Sequence, residues 1–426
     1  MFHEYSLTNK PFEKTLWVLI RALVYLWIYN GFIRLVIFKN YADFLYFMPT
    51  FILILIYIIS FLLPAPFRLY RFSVSITLAL ITLFQAFHIF KGDLEIKIAF
   101  YGWTLYQAPL LLFTVVPFAE KMNFYAFFQK ALRFSLTPNL ILCFFQITKL
   151  FPSIITAFDN SQHLTSANGY VRAFGTFTST TGFSLYLTIV TCFMILMRNE
   201  IKNLSFNFAW AQISILYIFS GSRTVFFALI PVFISLLFCR RKYFSAKLKI
   251  NFLSIFPAVV ISYLLINRFL PGPFSAVIER FSTSRTQENS AERIVNSMFS
   301  YTGNLYDSFW GSGFGSRGIG AFNYALNSGW IEDDNQRIIA EGGSIIGLII
   351  IFCRYLLVIN ILFSIFKNTP KIPRQFLIIF SSILPMLLFG QLFGQSSISL
   401  GTWLVLFVIL IEKYKVKKNN ITSNGS

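Results

Sequence analysis

Residues 329–352 read GWIEDDNQRIIAEGGSIIGLIIIF, and within this stretch a charged segment passes directly into an apolar run. The apolar run continues to Phe366 with Arg354 as its only charged residue. About 20 apolar residues are enough to cross the hydrocarbon core of a bilayer as a helix, so residues 344–366 are predicted to span a membrane. Because an unpaired charge inside a span is energetically costly, Arg354 is expected to have a partner.

The rest of the chain has the same apolar character. Of its 426 residues, 56% are hydrophobic and 12% are charged, and the mean hydropathy is +0.65. A soluble domain carries roughly 25% charged residues, so a water-soluble globular protein is excluded. The sequence predicts an all-α polytopic membrane protein with about twelve spans. The predicted spans are residues 16–38, 44–63, 72–90, 98–118, 134–151, 182–197, 204–220, 224–239, 250–269, 344–366, 375–393 and 398–411.

The charge distribution predicts the orientation of these spans. The chain has 36 Lys and Arg against 17 Asp and Glu, a net charge of +19. Lys and Arg are retained on the cytoplasmic side of a membrane, and a cytoplasmic N-terminus with twelve spans places the basic clusters 240–249 and 412–418 on that side. The positive charge is therefore interpreted as a topology signal, and no nucleic-acid partner is expected.

This topology divides the chain into four regions. Residues 1–149 form the N-terminal transmembrane helices, and residues 150–366 contain two outer loops, 150–181 and 271–343. Residues 367–411 form the C-terminal transmembrane helices, and residues 412–426 form a cytoplasmic tail. The loop 271–343, between the ninth and tenth spans, is long, and loops of that length usually carry function.

Glycines are concentrated in the long loop, in the sequence GSGFGSRG at residues 311–318. The match to GxGxxG is rejected as a dinucleotide-binding motif, because that motif requires a preceding strand and a following helix. Gly311, Gly313 and Gly315 either allow positive φ angles and close approach of the backbone to a ligand or form a turn. The sequence alone does not decide between these two interpretations.

A charged segment enters the tenth span. Asp333, Arg337 and Glu341 are spaced four apart and are predicted to form a ladder of charge pairs if a helix begins near Asp333. Asp334 and Asn335 lie beside them. The alternative is the ordinary acidic start of a membrane helix. Two neighbouring carboxylates are too few ligands for a divalent cation, so no metal site is predicted.

Several arginines lie on the predicted outer side, where the topology rule disfavours them. The four that favour an anionic ligand are Arg172, Arg223, Arg293 and Arg337. Arginine stays charged and binds phosphate oxygens in pairs, which suits a phosphate-containing substrate. The alternative is that long loops escape the topology rule and that these arginines pair with nearby carboxylates. His163, in the first outer loop, is a weaker candidate for a general base.

The order of these features resembles the O-antigen polymerase and ligase superfamily of polytopic membrane glycosyltransferases. The resemblance covers about residues 151–366, a little over half of the chain. The residues that carry it are Arg172 ahead of Gly175, SGSRTVFFALIPVFISLLF at 220–238, Arg293, GSGFGS at 311–316 and DNQRIIAEGGSIIGL at 334–348. In that family a His-Asn pair often opens the last motif, whereas this chain has Asp334-Asn335, which favours a polymerase over a ligase.

The resemblance implies a GT-C-like fold in a bacterial plasma membrane, with both termini cytoplasmic and the active site on the outer face. The implied donor and acceptor are oligosaccharides on undecaprenyl diphosphate, with no cofactor and no metal. Arg172, Arg223, Arg293 and Arg337 would bind the diphosphate, Asn335 and the glycines would contact the substrate, and Glu341 or Asp334 would act as the base. A chain-length regulator and a flippase are implied as partners.

Two alternatives to a polymerase remain. An O-antigen ligase uses the same donor and transfers the glycan to a different acceptor. A flippase or exporter of lipid-linked oligosaccharide belongs to another class and is also commonly built from about twelve spans. Transporters often have related halves, whereas in this sequence the long outer loop has no counterpart in the first half.

Overall fold

The chain is described by a computed structural model that covers most of its length. The described residues are 10–63, 68–148, 172–222, 227–236, 290–300, 309–318, 331–366, 376–388 and 392–423, with the single positions 264, 268, 302 and 390. Throughout these residues the regular structure is helical, without a β-strand. The predicted all-α class is therefore confirmed.

The α-helices of the described residues are numbered α1 to α14 in chain order. The α-helices are α1 Lys10–Phe32, α2 Ala42–Tyr46, α3 Met48–Phe61, α4 Arg68–Lys91, α5 Ile96–Tyr106, α6 Val116–Lys121, α7 Phe124–Thr148, α8 Thr180–Leu196, α9 Asn203–Ser220, α10 Phe227–Leu236, α11 Ser290–Phe299, α12 Asp334–Phe366, α13 Phe376–Leu388 and α14 Ser396–Ser423. A π-helix, Ile33–Ile37, follows α1, and a 3₁₀-helix, Ala108–Val115, connects α5 to α6.

The lengths of these helices support a membrane protein. Within the described residues, six helical segments are long and apolar enough to cross a membrane, and four further apolar helices are shorter. The predicted span 98–118 is interrupted, because α5 ends at Tyr106 and the chain continues as a 3₁₀-helix that contains Pro109. The predicted span 250–269 lies almost entirely outside the described residues. The total of twelve spans and the GT-C-like fold stay predictions.

Contacts between helix ends show which ends share a face of the molecule. The backbone amide of Phe32, at the end of α1, donates to the carbonyl of Thr176, just before α8, at 3.0 Å. His88 Nε2, near the end of α4, lies 3.0 Å from the carbonyl oxygen of Trp310. Four segments are predicted to lie on the outer side. They are the end of α1, the end of α4, the start of α8 and the glycine-rich loop, residues 311–318. The structure brings the end of α1 to the start of α8, and the end of α4 to the glycine-rich loop.

The helices differ in how much of their surface the protein covers. The side chains of α8 and of the first half of α14 are almost wholly buried, whereas α4 and the second half of α12 carry exposed Phe and Leu side chains. An exposed apolar helix face is typical of contact with lipid. Broken helices are tolerated at membrane depth where protein covers the freed backbone groups, and the break after α5 lies among buried residues.

Candidate functional site

The charged segment before the tenth predicted span folds back on that span. Gly343 has φ +71° and ψ 176°, which breaks α12 into the parts 334–342 and 344–366. A Cβ on Gly347 would lie 2.9 Å from the carbonyl oxygen of Ile338, so the two parts pack against each other. In this antiparallel hairpin Asp334 lies beside Arg354, although 20 residues separate them in the sequence.

Asp334 is the centre of a buried cluster of charges. Its Oδ1 accepts hydrogen bonds from Arg337 and from the backbone amide of Phe393, the latter at 3.2 Å. Its Oδ2 lies 2.8 Å from Arg354 Nη1. The relative exposures of Asp334, Arg337 and Arg354 are 1%, 2% and 5%. Burying charges is expensive unless they are paired and hydrogen-bonded, and each of these three groups meets that condition.

Arg354 also closes the end of a neighbouring helix. Its Nε donates to the carbonyl of Leu387 at 2.5 Å, and its Nη2 donates to Met386 and, at 3.0 Å, to Gly390. These carbonyls belong to the last turn of α13 and the residues after it, where the helix leaves carbonyl groups without intrahelical partners. Arg354 therefore joins the hairpin to α13, and the expectation that it has a partner is confirmed.

Asn335 connects the hairpin to the long predicted loop. Its Nδ2 donates to the backbone carbonyl of Ser297 in α11 at 3.1 Å, and Ser297 Oγ donates to Asp333 at 2.9 Å. Arg293 belongs to the same helix, α11, but its side chain lies outside the described part of the chain. The structure thus brings the backbone around Arg293 toward Asp333 and Asn335.

Glu341 lies at the end of the short helix 334–342 and has no exposed surface. Its Oε2 accepts a hydrogen bond from the Tyr106 hydroxyl at 2.8 Å, and its Oε1 accepts one from the backbone amide of Arg317 at 2.9 Å. The Tyr106 ring lies against Phe393 and Phe314, with centroid separations of 4.3 and 4.5 Å. Tyr106 occupies the end of α5, so the break in that helix positions the donor to Glu341.

The glycine-rich loop covers the end of the short helix. The backbone amides of Ser312 and Gly313 donate to the carbonyls of Ala340 and Glu341 at 3.1 and 2.9 Å. These bonds satisfy carbonyls that the helix itself leaves free. The loop therefore caps the helix that carries Glu341 and also binds the Glu341 side chain.

The glycines of this loop are required by its backbone. Gly311, Gly313 and Gly315 have φ angles of +70°, +86° and +96°. A Cβ on Gly311 would lie 2.3 Å from the carbonyl oxygen of Glu341, and one on Gly315 would lie 2.6 Å from that of Ile98. Of the two interpretations that the sequence left open, the positive φ angles are present, and the close approach that they allow is to other parts of the same chain.

His88 holds the start of the glycine-rich loop. One ring nitrogen faces the carbonyl of Trp310 at 3.0 Å, and the other faces Asp93 Oδ2 at 3.3 Å. Asp93 also pairs with Lys91 at 2.8 Å. The pKa of Asp93 is lowered from its ordinary value, chiefly by the hydrogen bond from Lys91, so this carboxyl is ionised at neutral pH.

Arg172 lies at a second polar region, next to the end of α9. Its side chain passes 3.8 Å from the position of a Cβ on Gly221, and its buried Nε has no hydrogen-bond partner among the described residues. The segment that follows is held by Gln146, whose side chain accepts from the amides of Phe174 and Gly175 and donates to the Gly175 carbonyl. The backbone beside Arg172 is thus fixed, while its Nε is left without a partner.

The structure therefore groups the predicted site residues in two places. Asp334, Asn335, Arg337 and Glu341 share the hairpin, and Gly311, Gly313 and Gly315 lie on it. Arg172 belongs to the region around Gln146. Arg223 and His163 lie outside the described residues.

The predicted ladder of charge pairs differs from what is found. Arg337 pairs with Asp334, three residues earlier, and the Asp333 carboxylate accepts a hydrogen bond from Ser297. The reason is the hairpin, which turns Asp334 toward the interior, where a buried carboxylate requires cationic partners. Arg337 is consequently buried and paired in the described structure.

Sequence reasoning did not single out Tyr106, His88 or Phe393. Each lies in an apolar stretch without a recognisable motif, and its role depends on contacts with residues far away in the sequence. For Tyr106 and His88 the sequence offered one signal, a polar side chain inside an apolar span, whereas Phe393 contributes its backbone amide and its ring and offered none.

No protein-family model, no curated protein and no solved structure matches this chain. The hairpin and the region around Arg172 are therefore the features of the described structure from which a function can be inferred.

Proposed function

We propose that this protein is a membrane glycosyltransferase that polymerises repeat units of a surface polysaccharide, O-antigen or similar. It transfers an oligosaccharide from undecaprenyl diphosphate to a second lipid-linked repeat at the outer face of a bacterial plasma membrane. The observation that carries the proposal is Glu341, a buried carboxylate fixed by Tyr106 and the Arg317 amide beside a cluster of arginines. A fixed carboxylate near cationic groups suits a base that acts beside an anionic leaving group.

The balance of charges assigns the arginines different roles in this proposal. Within the hairpin the positive charges of Arg337 and Arg354 are balanced by Asp334 and Glu341. A diphosphate requires additional positive charge, and Arg172 is proposed to supply it because it lies on the predicted outer side and its Nε is unpartnered among the described residues. Arg223 and Arg293 are proposed to complete the diphosphate site, and Arg337 positions Asp334 beside it.

The chemistry then needs one proton acceptor and one stabilised leaving group. The acceptor hydroxyl oxygen forms a bond to the anomeric carbon, and the bond from that carbon to the diphosphate oxygen breaks with its electron pair. The arginines stabilise the charge that develops on undecaprenyl diphosphate. Glu341 takes the hydroxyl proton, and the single displacement inverts the anomeric centre.

Glu341 is preferred to Asp334 as the base because of their hydrogen bonds. Each oxygen of Asp334 accepts from a guanidinium group, Arg337 at Oδ1 and Arg354 at Oδ2, whereas Glu341 accepts from the Tyr106 hydroxyl and from backbone amides of the glycine-rich loop. Because Asp334 is held as the counter-charge of two buried arginines, Glu341 is the carboxylate proposed to take the proton. The glycine-rich loop covers Glu341 and is proposed to be the segment that contacts the sugar.

The experiment uses purified protein in lipid nanodiscs and lipid-linked repeat units extracted from a strain in which the gene is deleted. A ladder of elongated products on a gel is expected, and chelator should leave it unchanged. Glu341→Gln and Arg172→Ala should each remove the ladder while the protein inserts at normal levels. Elongation at the wild-type rate by both variants would overturn the proposal.

Matched controls separate the site from general effects. Glu332→Gln changes an exposed carboxylate nine residues earlier in the same segment, and Arg198→Ala changes an arginine at the opposite helix ends. Both control variants should keep the ladder. The deletion strain also tests the ligase alternative, because loss of a ligase leaves completed polymer on undecaprenyl diphosphate, whereas loss of a polymerase leaves single repeats.

A further inference from the structure

Arg21 is a charged residue on the exposed face of α1. Its side chain makes no hydrogen bond or ion pair with the part of the chain that the structure describes. The same face of α1 carries Val18 and Tyr25, which are 63% and 46% exposed. Because α1 is long and apolar enough to cross a membrane, this face is expected to contact lipid. A charge at such a position is costly unless it finds a polar partner.

Two aromatic rings hold the Arg21 guanidinium group in place. Its central carbon lies 4.5 Å from the ring centroid of Trp17 and 5.2 Å from that of Phe127, at the start of α7. The two rings contact each other edge to face, with 5.4 Å between their centroids. A guanidinium group has five N–H donors, and contacts with two rings leave donors over for an acceptor. The group is therefore positioned by the protein while its hydrogen-bonding capacity stays unused among the described residues.

The position of the guanidinium group along α1 matches the edge of a membrane. Trp17 is the second residue of the predicted span 16–38, and the preceding residues 10–15 include two lysines and a glutamate. A long side chain on a helix points back toward the helix N-terminus, which agrees with the contact between Arg21 and a ring four residues earlier. Tryptophan is enriched at the boundary between hydrocarbon and water. The guanidinium group therefore lies where the lipid head groups begin.

Lys14 adds a second positive charge to this face. It is exposed and lies seven residues before Arg21, about two helical turns, so the two side chains project from the same side of α1. Lys14 forms no ion pair with any residue that the structure describes. Glu13 is its neighbour in the sequence, but side chains one position apart on a helix do not face each other. The start of α1 therefore presents two cations without a described counter-charge.

We propose that Arg21 and Lys14, with the rings of Trp17 and Phe127, form a binding site for the phosphate group of an anionic phospholipid. The Arg21 guanidinium group donates to the phosphate oxygens in pairs, and Lys14 supplies the second charge. A zwitterionic phospholipid carries its own cation beside the phosphate, so two unpaired positive charges favour a lipid with a net negative charge. The site lies at the end of α1 opposite the contact with Thr176, on the predicted cytoplasmic side, and does not depend on the proposed enzymatic activity.

The test measures lipid binding to the full-length protein by native mass spectrometry. Phosphatidylglycerol and phosphatidylcholine with the same acyl chains are added in equal amounts to the protein in neutral detergent. The wild-type protein should retain phosphatidylglycerol in preference to phosphatidylcholine. Arg21→Gln should weaken the binding of phosphatidylglycerol about five-fold, the effect of removing one positive charge near a membrane surface, and Lys14→Gln should weaken it less.

Lys202→Gln is the matched control, because Lys202 is an exposed cation just before α9, on the same predicted side of the membrane. This control should bind phosphatidylglycerol as the wild type does. Added phosphatidylglycerol should also raise the melting temperature of the wild type more than that of Arg21→Gln, since a ligand of the folded state stabilises it. Equal retention of the two lipids by the wild type, or undiminished binding by Arg21→Gln, would overturn the site. An equal loss in Lys202→Gln would show that general surface charge holds the lipid and would overturn the site as well.

Discussion

The two polar regions of this protein differ in the hydrogen-bond partners of their arginines. In the hairpin, Arg337 and Arg354 are buried and share the carboxylate of Asp334, and Arg354 also binds three backbone carbonyls. Beside α9, Arg172 is held next to a backbone fixed by Gln146, yet its Nε has no partner in the described part of the chain. Arg337 and Arg354 are buried, where an unpaired charge is penalised, whereas Arg172 is half-buried.

We interpret this difference as a separation between arginines that stabilise the fold and an arginine that has a donor left for the proposed ligand. A fully paired guanidinium has no donor left for a substrate, whereas an unpartnered one retains its donors at an energetic cost to the fold. Removing the first kind should therefore reduce stability, and removing the second should not. The following four predictions are ordered by the expected change in stability.

The largest change is expected for Asp334→Asn. The substitution leaves Glu341 as the remaining carboxylate near the two buried arginines and removes the direct partner of both, and breaking a buried pair in this way costs about 3–5 kcal/mol. The melting temperature in detergent should fall by many degrees, and the yield of folded protein should drop. Asp333→Asn is the control. The Asp333 carboxylate accepts a hydrogen bond from the Ser297 hydroxyl and pairs with no buried arginine among the described residues, so this substitution should lower the melting temperature only slightly. Equal melting temperatures for the two variants would show that the cluster does not stabilise the hairpin.

A smaller but clear loss is expected for Gly343→Ala. Gly343 adopts a φ, ψ combination that is essentially restricted to glycine, and its Cβ would lie 2.3 Å from the carbonyl oxygen of Phe309. The backbone strain alone costs about 1–3 kcal/mol.

Gly92→Ala is the control for Gly343→Ala. Gly92 also has a positive φ, +83°, but a Cβ there would meet nothing within 4 Å. The difference between the two melting temperatures therefore measures the contact between the hairpin and the glycine-rich loop. If Gly92→Ala is as destabilising as Gly343→Ala, that contact contributes nothing.

A small, pH-dependent loss is expected for Asp93→Asn. The pKa of Asp93 is lowered below its ordinary value of 3.8 in the folded protein, so its ionised form favours folding. This contribution is fully present above pH 3.8 and is lost as the pH falls through the lower, folded-state value. The wild-type protein should melt slightly higher than the variant at pH 7, and the two should converge toward pH 3. A difference that grows as the pH falls would contradict the assignment.

No loss of stability, or a small gain, is expected for Arg172→Ala. The substitution removes a charged group whose Nε is buried without a partner in the described part of the chain. Melting curves measured without substrate check this expectation, with Arg337→Ala as the destabilised comparison. If Arg172→Ala lowered the melting temperature as much as Arg337→Ala, Arg172 would have a structural partner. The two regions would then not differ in whether their arginines stabilise the fold.

The sequence alone determined the structural class of the protein and the segments in which polar side chains need partners. Hydropathy identified an all-α membrane protein, because a spanning helix requires a long apolar run wherever it lies in the fold. It also marked Arg354 as a residue that needs a partner and Glu341, Asp334 and Asn335 as a group at the start of a span. For Gly311, Gly313 and Gly315 composition left two interpretations, close approach at positive φ angles or a turn, and the structure shows the positive φ angles.

Only the tertiary structure decided which groups meet. The pairing of Arg337 with Asp334 instead of Asp333 depends on the reversal at Gly343, which places 334–342 against 344–366. Tyr106 reaches Glu341 across 235 positions of sequence, and His88 reaches Trp310 across 222. Side-chain periodicity reports neighbours on one helix, three or four residues apart. Contacts between helices depend on how breaks such as those at Gly343 and after Tyr106 turn the chain, and no local pattern specifies that direction.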